Sequence, residues 1–228
     1  MPKHTNNQEK GTHTVQPIDL VFWDWNGTLL DDVNYSLGCL NGLLAQYGYP
    51  QRYSLEAYRE IFGFPIEEYY RRVGFDFHRD PYPVLAQSYM DRYNAGVEEC
   101  APTSCAASTL EALRSLGKRQ VILSASRRDY LIEQASQRGL KGYFSELLGL
   151  SDIYGVSKIQ LGLDFLAESG VDPARCLMIG DTDHDAQVAA ALGAKCVLFT
   201  GGHQSRPRLE SVCDTVIDRL DQLPDLLG

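Results

Sequence analysis

The fold turns on the stretch DLVFWDWNGTLLDD, residues 19–32. Leu20 to Trp23 is an apolar run that reads as a buried strand. It stops at Asp24, just ahead of Asn26, Gly27 and Thr28. A carboxylate at the end of a core strand is costly to place there without a partner or a task. In an open parallel sheet, ligands bind in the crevice beyond the carboxyl ends of the strands. Asp24 therefore reads as a chemical group, and the rest of the chain must supply the groups that work with it. Asp31 and Asp32 read as shaping the way out of this turn rather than as ligands.

Working outward, 228 residues suffice for one good core, or a core with a smaller insertion. Hydrophobic residues make up 44%, ordinary for a globular protein, and the net charge is -9. That charge argues against a general nucleic-acid binder, which needs a basic face. It leaves room for an anionic substrate, because a local site can oppose the global sign. No apolar run approaches a membrane span. Residues 1–16 are polar and lack the apolar centre of a signal peptide, so they read as a disordered tail and the protein as cytoplasmic. The six cysteines form no C-x-x-C pair and read as reduced thiols.

Residues 33–102 stand apart. They hold ten of the 13 tyrosines and none of the lysines. Helical spacing recurs at Leu37, Leu40, Leu43 and Leu44, and again at Leu55, Tyr58, Ile61 and Phe62. Gly63-Phe64-Pro65 interrupts it, and Pro65 suits the first turn of a third helix, Ile66 to Val73. A fourth runs from about Pro83 to Ala95. Four helices after the first strand read as a small lid over 33–102. Its aromatic stripes read as its core, and Arg71 and Arg72 as a solvated face. Gly63-Phe64-Pro65 is equally compatible with a loop that dips into the site and with a plain turn.

From Thr103 onward helices and strands alternate. Ser108 is placed to cap a helix ending at Gly117. Strands are expected at Gln120–Leu123, Glu146–Leu150, Cys176–Ile179 and Cys196–Phe199. Helices are expected up to Gln137, from Ser157 to Gly170, and over Ala186–Leu192. This alternation predicts an α/β fold with a doubly wound parallel sheet. Its core would comprise residues 17–32 and 103–228. His203, after the last of these strands, reads as part of a plain loop, and Asp183 and His184 as exposed turn residues.

Three strand ends then match the first. One carries Ser124 and Ala125, another carries Asp181 and Asp185 in GDTDHD, and between them Lys158 opens a helix. Together these groups suit phosphoryl transfer. A carboxylate attacks phosphorus, a cation and a lysine offset the gathering negative charge, and a hydroxyl and turn N–H groups hold the remaining oxygens. Mg²⁺ favours one or two carboxylates plus a phosphate oxygen. Asp24 and Asp181 are its candidate ligands.

In this order the motifs DWNGTLLDD, LSAS (Leu123–Ser126), Lys158 and GDTDHDAQVAAALGA (Gly180–Ala194) resemble the haloacid dehalogenase superfamily. Within it, they resemble the phosphoglycolate phosphatase-like branch with a helical cap. The resemblance spans nearly all of residues 18–220. It implies Asp24 as nucleophile, with Gly27, Ser124, Ala125 and Lys158 around the phosphate. It also implies Mg²⁺ held by Asp24, the main-chain carbonyl of Asn26 and Asp181, with Asp185 in support.

One residue departs from the pattern. Relatives carry aspartate two residues after the nucleophile, as the proton donor to the leaving group, and this chain has Asn26. An amide does not shuttle protons at neutral pH, and losing a general acid costs about 10²–10⁴-fold. The expected function is a Mg²⁺-dependent phosphatase of a small phosphorylated metabolite, slowed by Asn26. The alternative is a phosphate-binding or regulatory protein that kept the scaffold. Neither nucleic acid nor membrane is expected as a partner, and a monomer or homodimer is expected in solution.

Overall fold

The computed structural model describes residues 17–151 and 157–227. The tail expected over 1–16 lies outside the described residues. In chain order the strands are β1 (Leu20–Trp23), β2 (Arg119–Arg127), β3 (Glu146–Leu150), β4 (Cys176–Gly180), β5 (Lys195–Phe199) and β6 (Val216–Ile217). They form one sheet in the order β3-β2-β1-β4-β5-β6, and every pairing is parallel. The chain reverses its direction of travel across the sheet at β1, so the crevice beside its carboxyl end is the place for a ligand.

Alternation along the strands sends side chains into two cores. Val21, Trp23, Ile122 and Ile179 face one side with Leu110, Leu113, Leu131 and Ala135. These come from α5 (Ala106–Ser115) and α6 (Arg128–Gln137). Leu20, Phe22, Val121, Leu123 and Met178 face the other, against Phe165 and Leu166 of α7 (Lys158–Ser169) and Val188 and Leu192 of α8 (Asp183–Leu192). Each indole N–H of this region finds an acceptor, as buried tryptophan requires. Trp23 donates to Gln120 at 3.1 Å and Trp25 to Gln134 at 2.8 Å.

Between β1 and β2 run α1 (Val33–Gln46), α2 (Leu55–Ile61), α3 (Ile66–Val73) and α4 (Tyr82–Asn94). They share a third apolar cluster that includes Leu40, Leu43, Tyr58, Tyr69, Tyr70 and Leu85. Ser54 caps α2 by accepting from the Ala57 N–H. Gly74, at φ +100°, closes α3 in the left-handed conformation that side chains resist.

Several boundaries differ from expectation. Ser108 lies inside α5, whose N-cap is Cys105, and its hydroxyl donates back to the Cys105 carbonyl. β2 continues to Arg127, with a break in register between Leu123 and Arg127, because β3 still offers a pairing edge there. α8 starts at Asp183 rather than Ala186 and carries a Thr182–Asp185 capping box. A sixth strand and two short helices, α9 (Arg206–Glu210) and α10 (Leu223–Leu227), complete the chain. All six cysteines are free thiols. Among the described residues, no helix is long and apolar enough to cross a membrane.

Candidate active site

Strand register sets the site. Trp23 pairs with Ile122 on one side and Ile179 on the other. Asp24, Ser124 and Asp181 therefore emerge within a residue or two of the same level. The Asp24 N–H donates to the Ile179 carbonyl at 2.8 Å, which ties the end of β1 to β4. Lys158, on the first turn of α7, reaches in from the far side. Its Nζ lies 2.5 Å from Asp24 Oδ1 and 2.6 Å from Asp185 Oδ1. Asp185 spends its other oxygen on the hydroxyl and N–H of Thr182 and the N–H of Asp181. It thus pins both the lysine and the turn. Asp181 accepts from the Thr28 hydroxyl at 3.0 Å and the His203 N–H at 2.6 Å.

The turn after β1 fits around Asp181. Gly27 adopts φ +73°, and a Cβ there would stand 2.4 Å from an Asp181 oxygen and 2.5 Å from the His203 ring. Any side chain at 27 would push the carboxylate out of place.

Asp24, Asp181 and Asp185 are all buried, and their ligand atoms lie within 4.8 Å of one another. Three carboxylates share one ammonium, which leaves excess negative charge. Burial, followed by its neighbouring carboxylates, outweighs Lys158 and pushes the Asp24 carboxyl up to about 8. Burial and Asp185 push Asp181 up to about 6 against the pull of His203. Burial opposes ionisation of Asp185 too, but Lys158 and Thr182 hold it below the usual carboxylate range. An all-oxygen cluster short of positive charge fits a hard divalent cation.

A second cluster, behind the turn, was not legible from the motifs. Asp32 is 1% exposed and accepts from the Gly27 N–H at 2.7 Å and the Tyr93 hydroxyl at 2.5 Å. It also accepts from the Asn26 amide at 3.1 Å, and its other oxygen lies 3.4 Å from His203 Nε2. Burial alone would raise Asp32, but His203, Tyr93 and Asn26 hold it below its ordinary value. His203, expected in a plain loop, is buried, and its Nδ1 shares a 2.8 Å hydrogen bond with the Tyr58 hydroxyl. Burial disfavours its charged form, yet Asp32, Asp181 and Asp24 raise its pKa. The available signal was position: His203 follows the carboxyl end of β5, on the same sheet edge as Asp24.

Asn26 is built in as an amide. Its Nδ2 donates to Asp32 and, at 2.7 Å, to Tyr93, whose own hydroxyl proton goes to Asp32. Its Oδ1 accepts from the Ser126 hydroxyl at 2.7 Å. An ionised carboxylate at 26 would set two acceptors against each other. Ser124 is buried, and its oxygen accepts from the Ser126 N–H at 3.0 Å, which leaves its own proton to donate.

These groups line the floor of a cavity of about 500 Å³, with Ala125 on its wall. Phe64 also lines it, so the Gly63-Phe64-Pro65 turn does dip into the site. Phe64 packs against His184 at 4.7 Å between ring centres, and Asp183 pairs with Arg208 at 2.9 Å. Both residues, expected to be exposed, begin α8 and are held against neighbours. Arg71 is exposed beside Glu67 and Glu68, as expected.

The loop 201–208 also grips α2. Arg59 donates to the carbonyls of Gly201 and Gly202, each at 2.8 Å, while Arg208 and Gln204 donate to the Phe62 carbonyl.

The family model described as haloacid dehalogenase-like hydrolase matches residues 21–199. The chain belongs to that family. It is 28% identical over 213 residues to a phosphoglycolate phosphatase of Pseudomonas putida, covering 90% of this chain and 78% of that protein. It is 25% identical to a pyrophosphatase of Bacillus pumilus, covering 78% and 81%. A haloacid dehalogenase-like hydrolase from Streptococcus pneumoniae shares the fold with a TM-score of 0.79 at 19% identity, over 92% of this chain and 99% of the other.

Proposed function

We propose that the protein is a Mg²⁺-dependent phosphatase acting on a small phosphomonoester through Asp24. The observation that carries this reading is the buried Lys158 bridge to Asp24 and Asp185, with Asp181 beside it, on the floor of a cavity open to a ligand. Its curated relatives bear phosphatase names, which agrees with it.

Asp24 is the nucleophile. An oxygen of its carboxylate attacks phosphorus, the ester P–O bond breaks, and an aspartyl-phosphate forms. Lys158 steers the Asp24 carboxylate and offsets charge on the transferring oxygens. The Ser124 hydroxyl and the Ala125 N–H donate to the others, while the Gly27 N–H stays with Asp32 and shapes the turn. Asp24, Asp181 and the main-chain carbonyl of Asn26 would hold Mg²⁺, with Asp185 fixing the surrounding turn. When bound, the ion supplies the positive charge that the carboxylate cluster lacks. Water then cleaves the aspartyl-phosphate and restores Asp24.

The test is phosphate release from a panel of phosphomonoesters with Mg²⁺ and after its removal by a chelator. Asp24→Asn should lower turnover by roughly 10⁴–10⁶-fold, the scale of losing a nucleophilic centre. Turnover that survives in Asp24→Asn would exclude this mechanism. The amide network at Asn26 favours a second reading, a phosphate-binding protein without turnover. Tight binding of inorganic phosphate with no ester hydrolysed would establish it.

A further inference from the structure

We propose that the phosphomonoester taken by this site is that of a phenol, an uncharged ring-bearing alcohol, rather than that of a small hydroxy acid. This rests on the phosphatase reading and concerns the half of the substrate that departs.

The first observation is the roof of the cavity. Phe62, Phe64, Ile66, Tyr89, Met90 and Tyr93 line it from the helical insertion, and the polar groups that accompany them are neutral (Ser36, Gln87, Asn94) or acidic (Asp91). No arginine, lysine or histidine of residues 33–102 lines it. The insertion has no lysine at all. None of its six arginines lines the cavity: Arg59 goes to the 201–202 carbonyls, Arg71 to Glu67 and Glu68, Arg72 to the Ile61 carbonyl, Arg79 to Asp80 and Arg92 to Gln46, and Arg52 is exposed. Arg127, at the rim, is held by Asp129 at 2.6 Å and lies 3.9 Å above the Tyr130 ring. A carboxylate on the leaving group would meet rings and the Asp91 carboxylate from the insertion, with no cation there to pair it, while Lys158 on the floor is already held by Asp24 and Asp185. A flat uncharged ring would stack on Phe64, which has a face toward the cavity and His184 beside it.

The second observation is Asn26, and it is independent of the first. No carboxyl at that position protonates a departing oxygen. A phenol needs that help least. It ionises near a pKa of about 10, as tyrosine does, whereas water, the simplest relative of an aliphatic alcohol, ionises near about 15.7. The steps balance without an acid. The Asp24 carboxylate displaces phenolate, which leaves with the electron pair of the P–O bond and takes a proton from bulk water. Water then adds to the aspartyl-phosphate, and both of its hydrogens leave on the phosphate as the carboxylate is regenerated.

Binding tests this separately from turnover. The full-length protein with Mg²⁺ is titrated with inorganic phosphate, with benzylphosphonate and with 3-phosphonopropionate. The two phosphonates are non-hydrolysable counterparts of phenyl phosphate and of a carboxymethyl phosphate. Benzylphosphonate should bind about tenfold or more tightly than inorganic phosphate, and 3-phosphonopropionate no more tightly than it. Phe64→Ala should lose that gain while inorganic phosphate still binds. Met90→Ala, at a side chain 42% exposed, gives the same readout if Phe64→Ala does not fold. If 3-phosphonopropionate binds as tightly as benzylphosphonate or more so, the phenolic assignment is wrong and the phosphatase reading stands. If none of the three binds, inorganic phosphate included, the phosphatase reading itself falls.

Discussion

On the floor of the cavity, Lys158 holds Asp24 and Asp185 within hydrogen-bonding distance, and ligand atoms of Asp24, Asp181 and Asp185 crowd within 4.8 Å of one another. On the roof, aromatic and aliphatic side chains dominate, and the one charged group among them is the carboxylate of Asp91. The floor is assembled from strand ends and a helix start, whose relative positions follow from sheet register. The roof is assembled from the faces of separate helices, whose approach is set by packing in a different core. The floor therefore states a reaction and the roof states a preference, and the two respond differently to substitution.

The largest expected gain in turnover lies where floor and roof meet. Asn26→Asp puts a carboxyl against Asp32 Oδ2, where the amide nitrogen now sits at 3.1 Å. To keep that contact the new group must hold a proton, and a protonated carboxyl lining the cavity is a source of one for the leaving oxygen. Turnover of alkyl phosphates should rise by about 10²–10⁴-fold, and turnover of aryl phosphates by much less. An equal rise for both would show that the missing acid does not select the leaving group. The variant's folded-state pKa at 26 lies above its unfolded value. Its stability relative to the native protein should therefore fall as pH rises, which thermal melts at pH 5 and pH 8 would read.

Next comes Lys158→Met, which removes the one ammonium shared by Asp24 and Asp185. Taking one partner from a buried ion pair costs about 3–5 kcal/mol at neutral pH. Denaturant unfolding should show that loss, with the roof variants Phe64→Ala and Met90→Ala far milder. A loss no larger than theirs would mean that the floor is not electrostatically poised.

The comparison also sharpens through pH, acting on the metal-free protein. Asp24 and Asp181 are pushed up to about 8 and about 6, above their unfolded values. Their folded forms hold protons that the unfolded chain releases. Stability should be full near pH 4 and decline as pH rises through 6 and then 8. Added Mg²⁺ replaces those protons, so its stabilisation should grow over the same range. A melting temperature with Mg²⁺ offset by a constant amount from pH 5 to 9 would contradict this.

The legibility of the site follows the same division. Asp24, Ser124 and Asp181 each sit where a hydrophobic run stops, and such stops are visible in a linear sequence, while Lys158 and Asp185 sit on the first turns of helices and were legible from the order of the motifs around them. β1, α3 and β3 are likewise bounded by abrupt changes of character, and their limits match expectation. The end of β2 was hidden, because the strand continues over polar residues that only the neighbouring β3 holds in place. Asp32, His203, Tyr58 and Tyr93 were hidden for a related reason. They meet across sequence separations of up to 171 residues, from Asp32 to His203, and none interrupts a hydrophobic run. Asn26 was visible as a departure, but the sequence alone showed a missing proton donor. The structure shows a residue with a donor and acceptor pattern of its own.

The loop 201–208 is one short piece of backbone with two attachments. At one end the His203 N–H holds an oxygen of Asp181, and along its length the carbonyls and side chains hold the end of α2. Mechanically it is a tie-rod between the helical half and the sheet half of the cavity. Lifting α2 away from the sheet pulls on the peptide that positions a carboxylate of the floor, so the roof does not open without loosening the ground beneath it.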